Sequence, residues 1–142
     1  MKKSNKGFTL IELLAVIVVL AVIALIATPI VLKLVDQARV GAAESSATAY
    51  VKAVENRVLA TLVEDTGAVF CSEYTVAGKA LTGVTDKCTG ATETAKSLTV
   101  DVKGDLPTTG TVTITDGEVT AATLTISGYT INYTPASGSE RS

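Results

Sequence analysis

Hydrophobic residues are concentrated in one block near the N-terminus of the chain. Leu13–Ala27 has no polar side chain, and extension to Leu32 gives 20 residues with one hydroxyl, that of Thr28. A helix of that length and composition can cross a bilayer. Lys2, Lys3 and Lys6 come before the block, and Lys33 closely follows it. The positive-inside rule therefore predicts a cytoplasmic N-terminus, with most of the chain on the other side of the membrane.

The pattern becomes amphipathic after the apolar block. Apolar residues recur at steps of three and four, which is typical of a helix with one buried face. They form two runs, Val31, Val35, Ala38 and Ala42, followed by Ala47, Val51, Val54, Val58 and Leu62. We predict one helix from about Thr9 to Asp65, with a hydrophobic transmembrane half over residues 8–32. The half over residues 33–65 is amphipathic and should pack on a globular head.

A period of two replaces the helical pattern over residues 98–134. Asp116-Gly117 and Ser127-Gly128 are predicted hairpin turns. These turns predict the facing pairs Ile114–Val119, Val112–Ala121, Ile126–Tyr129, Leu124–Ile131 and Ala122–Tyr133. The apolar parity shifts between Ala121 and Ala122, where we expect a bulge. The prediction is an α+β fold, a long helix on a small four-stranded antiparallel meander.

Two cysteines, Cys71 and Cys88, lie in residues 66–97, which show little periodicity. An even pair in an exported domain indicates a disulfide. We therefore expect residues 66–97 to form a disulfide-stapled loop, a scaffold more than a binding site. Residues 135–142 are predicted to be a tail.

Charge and composition exclude several functions. The formal net charge is −2 and would be −5 without residues 1–7, a balance that does not favour nucleic acid. The absence of His excludes His-ligated metal sites and His-based acid–base catalysis. No nucleophile–base pair, P-loop or paired-carboxylate motif is present. We predict a protein that is not an enzyme and uses no cofactor or metal.

Glu12 decides between readings of the N-terminal segment. An ordinary signal peptide, a lipoprotein signal and a plain membrane anchor all compete, but none explains a carboxylate inside the apolar helix. Such an acid costs roughly 2.5–3.5 kcal/mol at the centre of a bilayer and less near the interface, so a partner is expected. A cut after Gly7 would create an α-amine at Phe8, four residues from Glu12. That amine could pair with its own Glu12 or with that of a neighbouring subunit.

The segment KGFTLIELLAVIVVLAVIALIATP resembles the cleavage and methylation motif of type IV prepilins and pseudopilins. The resemblance covers about Lys6–Arg39 and implies that residues 1–7 are a basic leader removed by a prepilin peptidase. Gly7 would precede the cut, Phe8 would receive an N-methyl group, and Glu12 would contact another subunit. Pro29 would kink the helix, or allow it to melt locally when subunits pack.

The resemblance also implies function, partners and location. We expect a pilin that polymerises into an extracellular filament for adhesion, motility, biofilm formation or DNA uptake. The partners would be other copies, the prepilin peptidase and methylase, an inner platform with an assembly ATPase, and the membrane before assembly. The alternatives are a pseudopilin of a secretion or competence machine and a membrane-tethered binding protein that does not polymerise.

Two further motifs are expected to be coincidental. Leu106–Gly110 matches the sortase pattern LPxTG, but a strand follows it instead of an apolar span and a basic tail. We interpret it as a connection between strands. Asn132-Tyr133-Thr134 fits the N-glycosylation pattern but falls within a predicted strand.

Overall fold

The computed structural model describes residues 7–135 and 138–141. The first element is a single helix, α1, over Leu10–Glu64, close to the predicted bounds of Thr9 and Asp65. The chain divides into two compact units between Ala38 and Arg39.

The first unit is the apolar part of α1. An 18-residue window of this helix has a mean hydropathy of 3.2, and none of it is buried. The helix is therefore long and apolar enough to cross a membrane, by length and composition. Because its large side chains are exposed all round, this surface requires lipid or protein to cover it.

The second unit consists of the rest of α1 and a seven-stranded antiparallel sheet. The strands are β1 Glu73–Ala77, β2 Ala80–Gly83, β3 Ser97–Thr99, β4 Thr109–Thr115, β5 Glu118–Ile126, β6 Tyr129–Thr134 and β7 Gly138–Arg141. Their order across the sheet is β3-β2-β1-β4-β5-β6-β7. A 3₁₀ turn at Thr85–Lys87 and the short helix α2, Glu93–Lys96, lie between β2 and β3.

The core lies between α1 and one face of the sheet. The helix contributes a stripe at steps of three and four residues, namely Ala43, Ala47, Tyr50, Val51, Val54 and Val58. Alternate residues of the strands meet this stripe, among them Tyr74, Leu81, Val112, Leu124 and Ile131. Each fully buried Val, Leu or Ile side chain contributes about 1.5–3 kcal/mol, so this stripe holds the helix on the sheet.

The opposite face of the sheet carries small polar side chains in register. One row crosses all seven strands through directly paired residues, which are Ser97, Thr82, Thr75, Thr111, Thr123, Asn132 and Glu140. Thr suits this position because its branched side chain fits a pleated surface while its hydroxyl stays hydrated.

The sheet has seven strands, whereas the sequence predicted four. Residues 66–97 were expected to be a loop, but β1 and β2 lie there. The predicted meander would place β3 beside β4, whereas β1 occupies that position. Residues 135–142 were expected to be a tail, but β7 pairs with β6 at the edge of the sheet. β1, β2 and β7 have four or five residues each, too few for the alternation to be visible.

The two hairpins form at the predicted turns. Asp116 and Gly117 have φ of 54° and 80°, and Ser127 and Gly128 have 52° and 85°. Positive φ at both central residues is the primed geometry that matches the strand twist. The pairs Ile114–Val119, Ile126–Tyr129, Leu124–Ile131 and Ala122–Tyr133 are confirmed.

The remaining predicted pair, Val112 with Ala121, is wrong. Val112 faces Ala122, and Thr113 faces Ala121. The register shifts between Thr113 and Ile114, so Thr120 is the extra residue of β5. The bulge therefore occurs nearer to the turn than the predicted step between Ala121 and Ala122, which keeps both Val119 and Ala122 on the core side.

Candidate processing and assembly site

A capping box closes the N-terminus of α1. The backbone N–H and the hydroxyl of Thr9 both donate to Glu12 Oε2, at 3.0 Å each. The Glu12 N–H donates in return to Thr9 Oγ1 at 3.3 Å. This reciprocal pattern satisfies backbone donors that the first helical turn leaves without partners. The Thr-x-x-Glu spacing is the sequence signal for this capping box, which was not predicted.

The residues at the start of the described chain have no regular secondary structure and are accessible. Gly7, Phe8 and Thr9 lie outside the helix and are exposed. Apart from its chain neighbours, no atom of the described residues lies within 4 Å of the position that a Cβ on Gly7 would occupy. The peptide bond between Gly7 and Phe8 is thus not protected by helical structure.

Glu12 lies on an otherwise apolar surface. It lines a shallow hollow with Phe8, Leu13 and Val16, and it is the one charged residue between Phe8 and Leu32. A carboxylate in such surroundings gains most from a nearby cation, because the attraction is screened least where water is excluded. The arrangement can hold a positively charged group next to the start of the helix.

Pro29 lies far from this cluster along the helix, so the structure does not bring it together with Glu12. The helix is continuous across Pro29. Proline has no N–H to donate to the carbonyl of Leu25. The hydroxyl of the preceding Thr28 donates to the Ala24 carbonyl at 2.6 Å, a bond that favours helix bending.

Cys71 and Cys88 form the expected disulfide in the second unit. It joins the entry to β1 with the end of the 3₁₀ turn. The neighbouring Ser72 N–H donates to the Lys87 carbonyl at 2.9 Å. Gly83 passes directly against both sulfur atoms, so a Cβ at this position would overlap them.

A buried tyrosine anchors the segment that the disulfide closes. The Tyr74 hydroxyl donates to the Ala95 carbonyl at 2.6 Å and accepts from the Cys71 N–H at 3.0 Å. Burial raises the pKa of Tyr74, although the Cys71 bond opposes that shift. Sequence reasoning missed Tyr74 and Gly83, whose roles depend on contacts between distant residues.

Of the two motifs expected to be coincidental, Leu106–Gly110 leads from a connection into a strand, and Asn132–Thr134 lies within one. Thr109 and Gly110 are the first residues of β4, and Gly110 packs against the backbone of Thr123 and Leu124. Asn132 and Thr134 belong to β6. Within the described part of the chain, no group of three or more Cys, Asp or Glu residues is placed to hold a metal ion.

Comparison with known proteins identifies the N-terminal segment. The family model of the prokaryotic N-terminal methylation motif matches residues 2–28. Comparisons with curated proteins and with solved structures gave no match. The matched residues contain the capping box, the accessible Gly7–Phe8 bond and most of the exposed apolar helix. The chain therefore carries the methylation motif that is the signature of type IV pilins and pseudopilins.

Proposed function

We propose that this chain is a structural subunit of a type IV pilus. In this proposal a prepilin peptidase cuts between Gly7 and Phe8, and the new amine of Phe8 is methylated. Before assembly, the subunit lies in the membrane with its N-terminus on the cytoplasmic side. It then leaves the membrane and joins an extracellular filament through the apolar half of α1.

The observation that carries this proposal is Glu12 on the exposed apolar helix. A simple anchor gains only the helix cap from a carboxylate at this position, because lipid offers its charge no partner. In a bundle of such helices, the Phe8 amine of one copy can pair with Glu12 of the next. Such a pair fixes the axial register of neighbouring helices, while the apolar side chains supply contact area.

The same motif belongs to pseudopilins, which form short fibres in secretion or competence machines. Processing at Gly7 is common to both proposals, so the amount of polymer on the cell surface distinguishes them. Pro29 is proposed as the point at which α1 bends, or melts locally, when the helices pack.

The decisive measurement is the intact mass and N-terminal peptide of material sheared from the cell surface. We expect a chain that begins at Phe8, one methyl group heavier and two hydrogens lighter than the reduced sequence. An abundant sheared polymer supports a pilin, and a trace amount supports a pseudopilin. A chain that retains residues 1–7, or begins after Ala27, would contradict both and indicate a tethered or secreted protein.

A further inference from the structure

The second unit has a groove with basic walls and a small apolar floor. Its apolar lining residues are Val102 and three alanines on one stripe of α1, namely Ala49, Ala53 and Ala60. The charged residues of the lining are Lys52, Arg57, Asp101 and Lys103. Asp101 accepts from Lys79 at 2.9 Å, and Arg57 lies 3.8 Å from Glu64. Lys52 and Lys103 are both exposed, so the groove presents positive charge around a hollow.

A second surface has the opposite character. Two adjoining clefts meet at Gly117 in the β4–β5 turn. Their charged lining residues are Glu55, Asp116 and Glu118, all acidic. The same clefts are also lined by exposed apolar side chains, with Leu59 57% exposed and Val69 49% exposed. This acidic surface therefore combines negative charge with apolar groups that project outward.

The two surfaces occupy different places on one molecule. They share no lining residue. At 100° per residue, the alanine stripe of the groove and the stripe of Glu55, Leu59 and Leu62 are roughly 130° apart around α1. Each surface therefore remains available to another molecule.

We propose that the basic groove of one copy docks on the acidic surface of the next copy. Lys103 and Lys52, the two exposed cations of the groove, would face Glu118 and Asp116, while Leu59 would enter the hollow beside the alanines. The occupant is a second copy because the complement in charge and shape is present on the same chain. This inference rests on the proposed filament and adds a contact between heads to the contact between apolar helices.

The contact has a consequence for symmetry. Because two different surfaces meet, the contact is heterologous, and every copy keeps one unused surface of each kind. Repetition then gives a ring or an open helical array, never a closed pair. An open array agrees with a filament and gives it two unlike ends.

Paired cysteines on the full chain in its native filament test this geometry. In a variant that carries both Lys103→Cys and Glu118→Cys, oxidation should give a ladder of dimers, trimers and higher species on non-reducing gels. Either single variant should stay monomeric, since a new thiol would face Glu118 or Lys103 of the neighbour. Dimers from a single variant would indicate a symmetric contact and overturn the proposal.

A charge exchange provides the second test. Lys103→Glu should lower the yield of sheared filament by about tenfold, because like charges then face each other at every repeat. Adding Glu118→Lys should restore most of that yield. Lys87→Glu is the matched control, because Lys87 is exposed on the same unit and lines neither surface.

The outcomes separate this inference from the proposed function. If filaments of chains beginning at Phe8 form, but no ladder appears and Lys103→Glu behaves like Lys87→Glu, the docking inference is wrong and the pilin proposal stands. If no filament forms from the unmodified chain, both are wrong.

Discussion

At the residue scale, Glu12 has two possible roles that make different demands on its side chain. Its carboxylate accepts both hydrogen bonds from Thr9 at the start of α1. In the proposed filament it also attracts the amine of a neighbouring Phe8. Hydrogen bonding needs an oxygen acceptor, which an amide also has, whereas attraction to an amine needs the negative charge.

Substitutions at Glu12 and Thr9 separate these roles. Glu12→Gln keeps an acceptor for the capping box but removes the charge, so we expect filament yield to fall by about tenfold or more. Thr9→Ala removes the cap at a cost of about 1 kcal/mol to the helix and leaves the charge, so filaments should persist. Shearing and an immunoblot measure both, with an N-terminal peptide starting at Phe8 as the control for cleavage. Equal loss in both variants would show that capping, and not charge, is what matters.

Tyr50 offers a residue-scale test of core energetics. Its ring is fully buried, and its hydroxyl has no hydrogen-bond partner among the described residues. Tyr50→Phe removes a buried polar group, so the free energy of unfolding should rise by about 1 kcal/mol. Urea titration of the full chain in detergent measures this change. A loss of stability would instead reveal a partner for the hydroxyl.

The same residue predicts a response to alkali. Burial raises the pKa of Tyr50 above its ordinary value of 10.0. The folded state therefore favours the neutral phenol, and this contribution to stability is complete below pH 10. It is lost as the pH rises above 10 toward the folded pKa, because the unfolded chain ionises first. Circular dichroism should show unfolding at high pH, with a shallower loss of stability in Tyr50→Phe.

At the element scale, elements with long periodic patterns could be predicted and short ones could not. The bounds of α1, both hairpin turns and four of five facing pairs followed from periods of 3.6 and two. By contrast, β1, β2 and β7 are short, and their pairing depends on partners distant in sequence. The exact position of the bulge at Thr120 also depends on packing against α1, which local alternation does not encode.

The effects on stability of removing the disulfide and of substituting Gly83 should not be additive. Loss of the disulfide in the Cys71→Ala/Cys88→Ala variant should lower the free energy of unfolding by about 3 kcal/mol. This is the value expected when a disulfide closes a loop of about this length. Gly83→Ala should cost about 1–3 kcal/mol in the native chain, because its methyl group meets both sulfur atoms.

In the chain without the disulfide, Gly83→Ala should cost clearly less, because the sulfur atoms are gone and only the Cβ of residue 71, at 3.2 Å, remains close. Urea midpoints of the four chains give the coupling free energy directly. Additive costs would show that Gly83 is required for its backbone and not for its contact with sulfur.

At the scale of the whole molecule, the candidate site was the part most accessible from sequence. The order of Gly7, Phe8, Glu12 and a long apolar run is local information, so no folding was needed to find it. The basic groove and the acidic surface were not predicted, because each combines α1 with residues from beyond β3 or from the β4–β5 turn.

The division at Ala38 predicts that the second unit is independent. All the core residues come from Ala43 onward. A chain of residues 39–142 should therefore keep the disulfide and the slow amide exchange of β4, β5 and β6. Because its new helix end lacks a cap, the free energy of unfolding of this fragment should be lower by about 1 kcal/mol. Hydrogen exchange compared with the full chain in detergent checks this. An unfolded fragment would show that residues 7–38 contribute to the core.

The capping box at Thr9 and Glu12 also bears on how subunits are kept before use. A carboxylate without a hydrogen-bond partner is costly in the membrane, so it would favour early aggregation or degradation of each new chain. Here the carboxylate is already occupied by its own helix. If Glu12 joins subunits as proposed, assembly adds the Phe8 amine of a neighbour to the partners that the carboxylate already has. A cell could then hold a reserve of finished subunits in its membrane and draw on it at short notice.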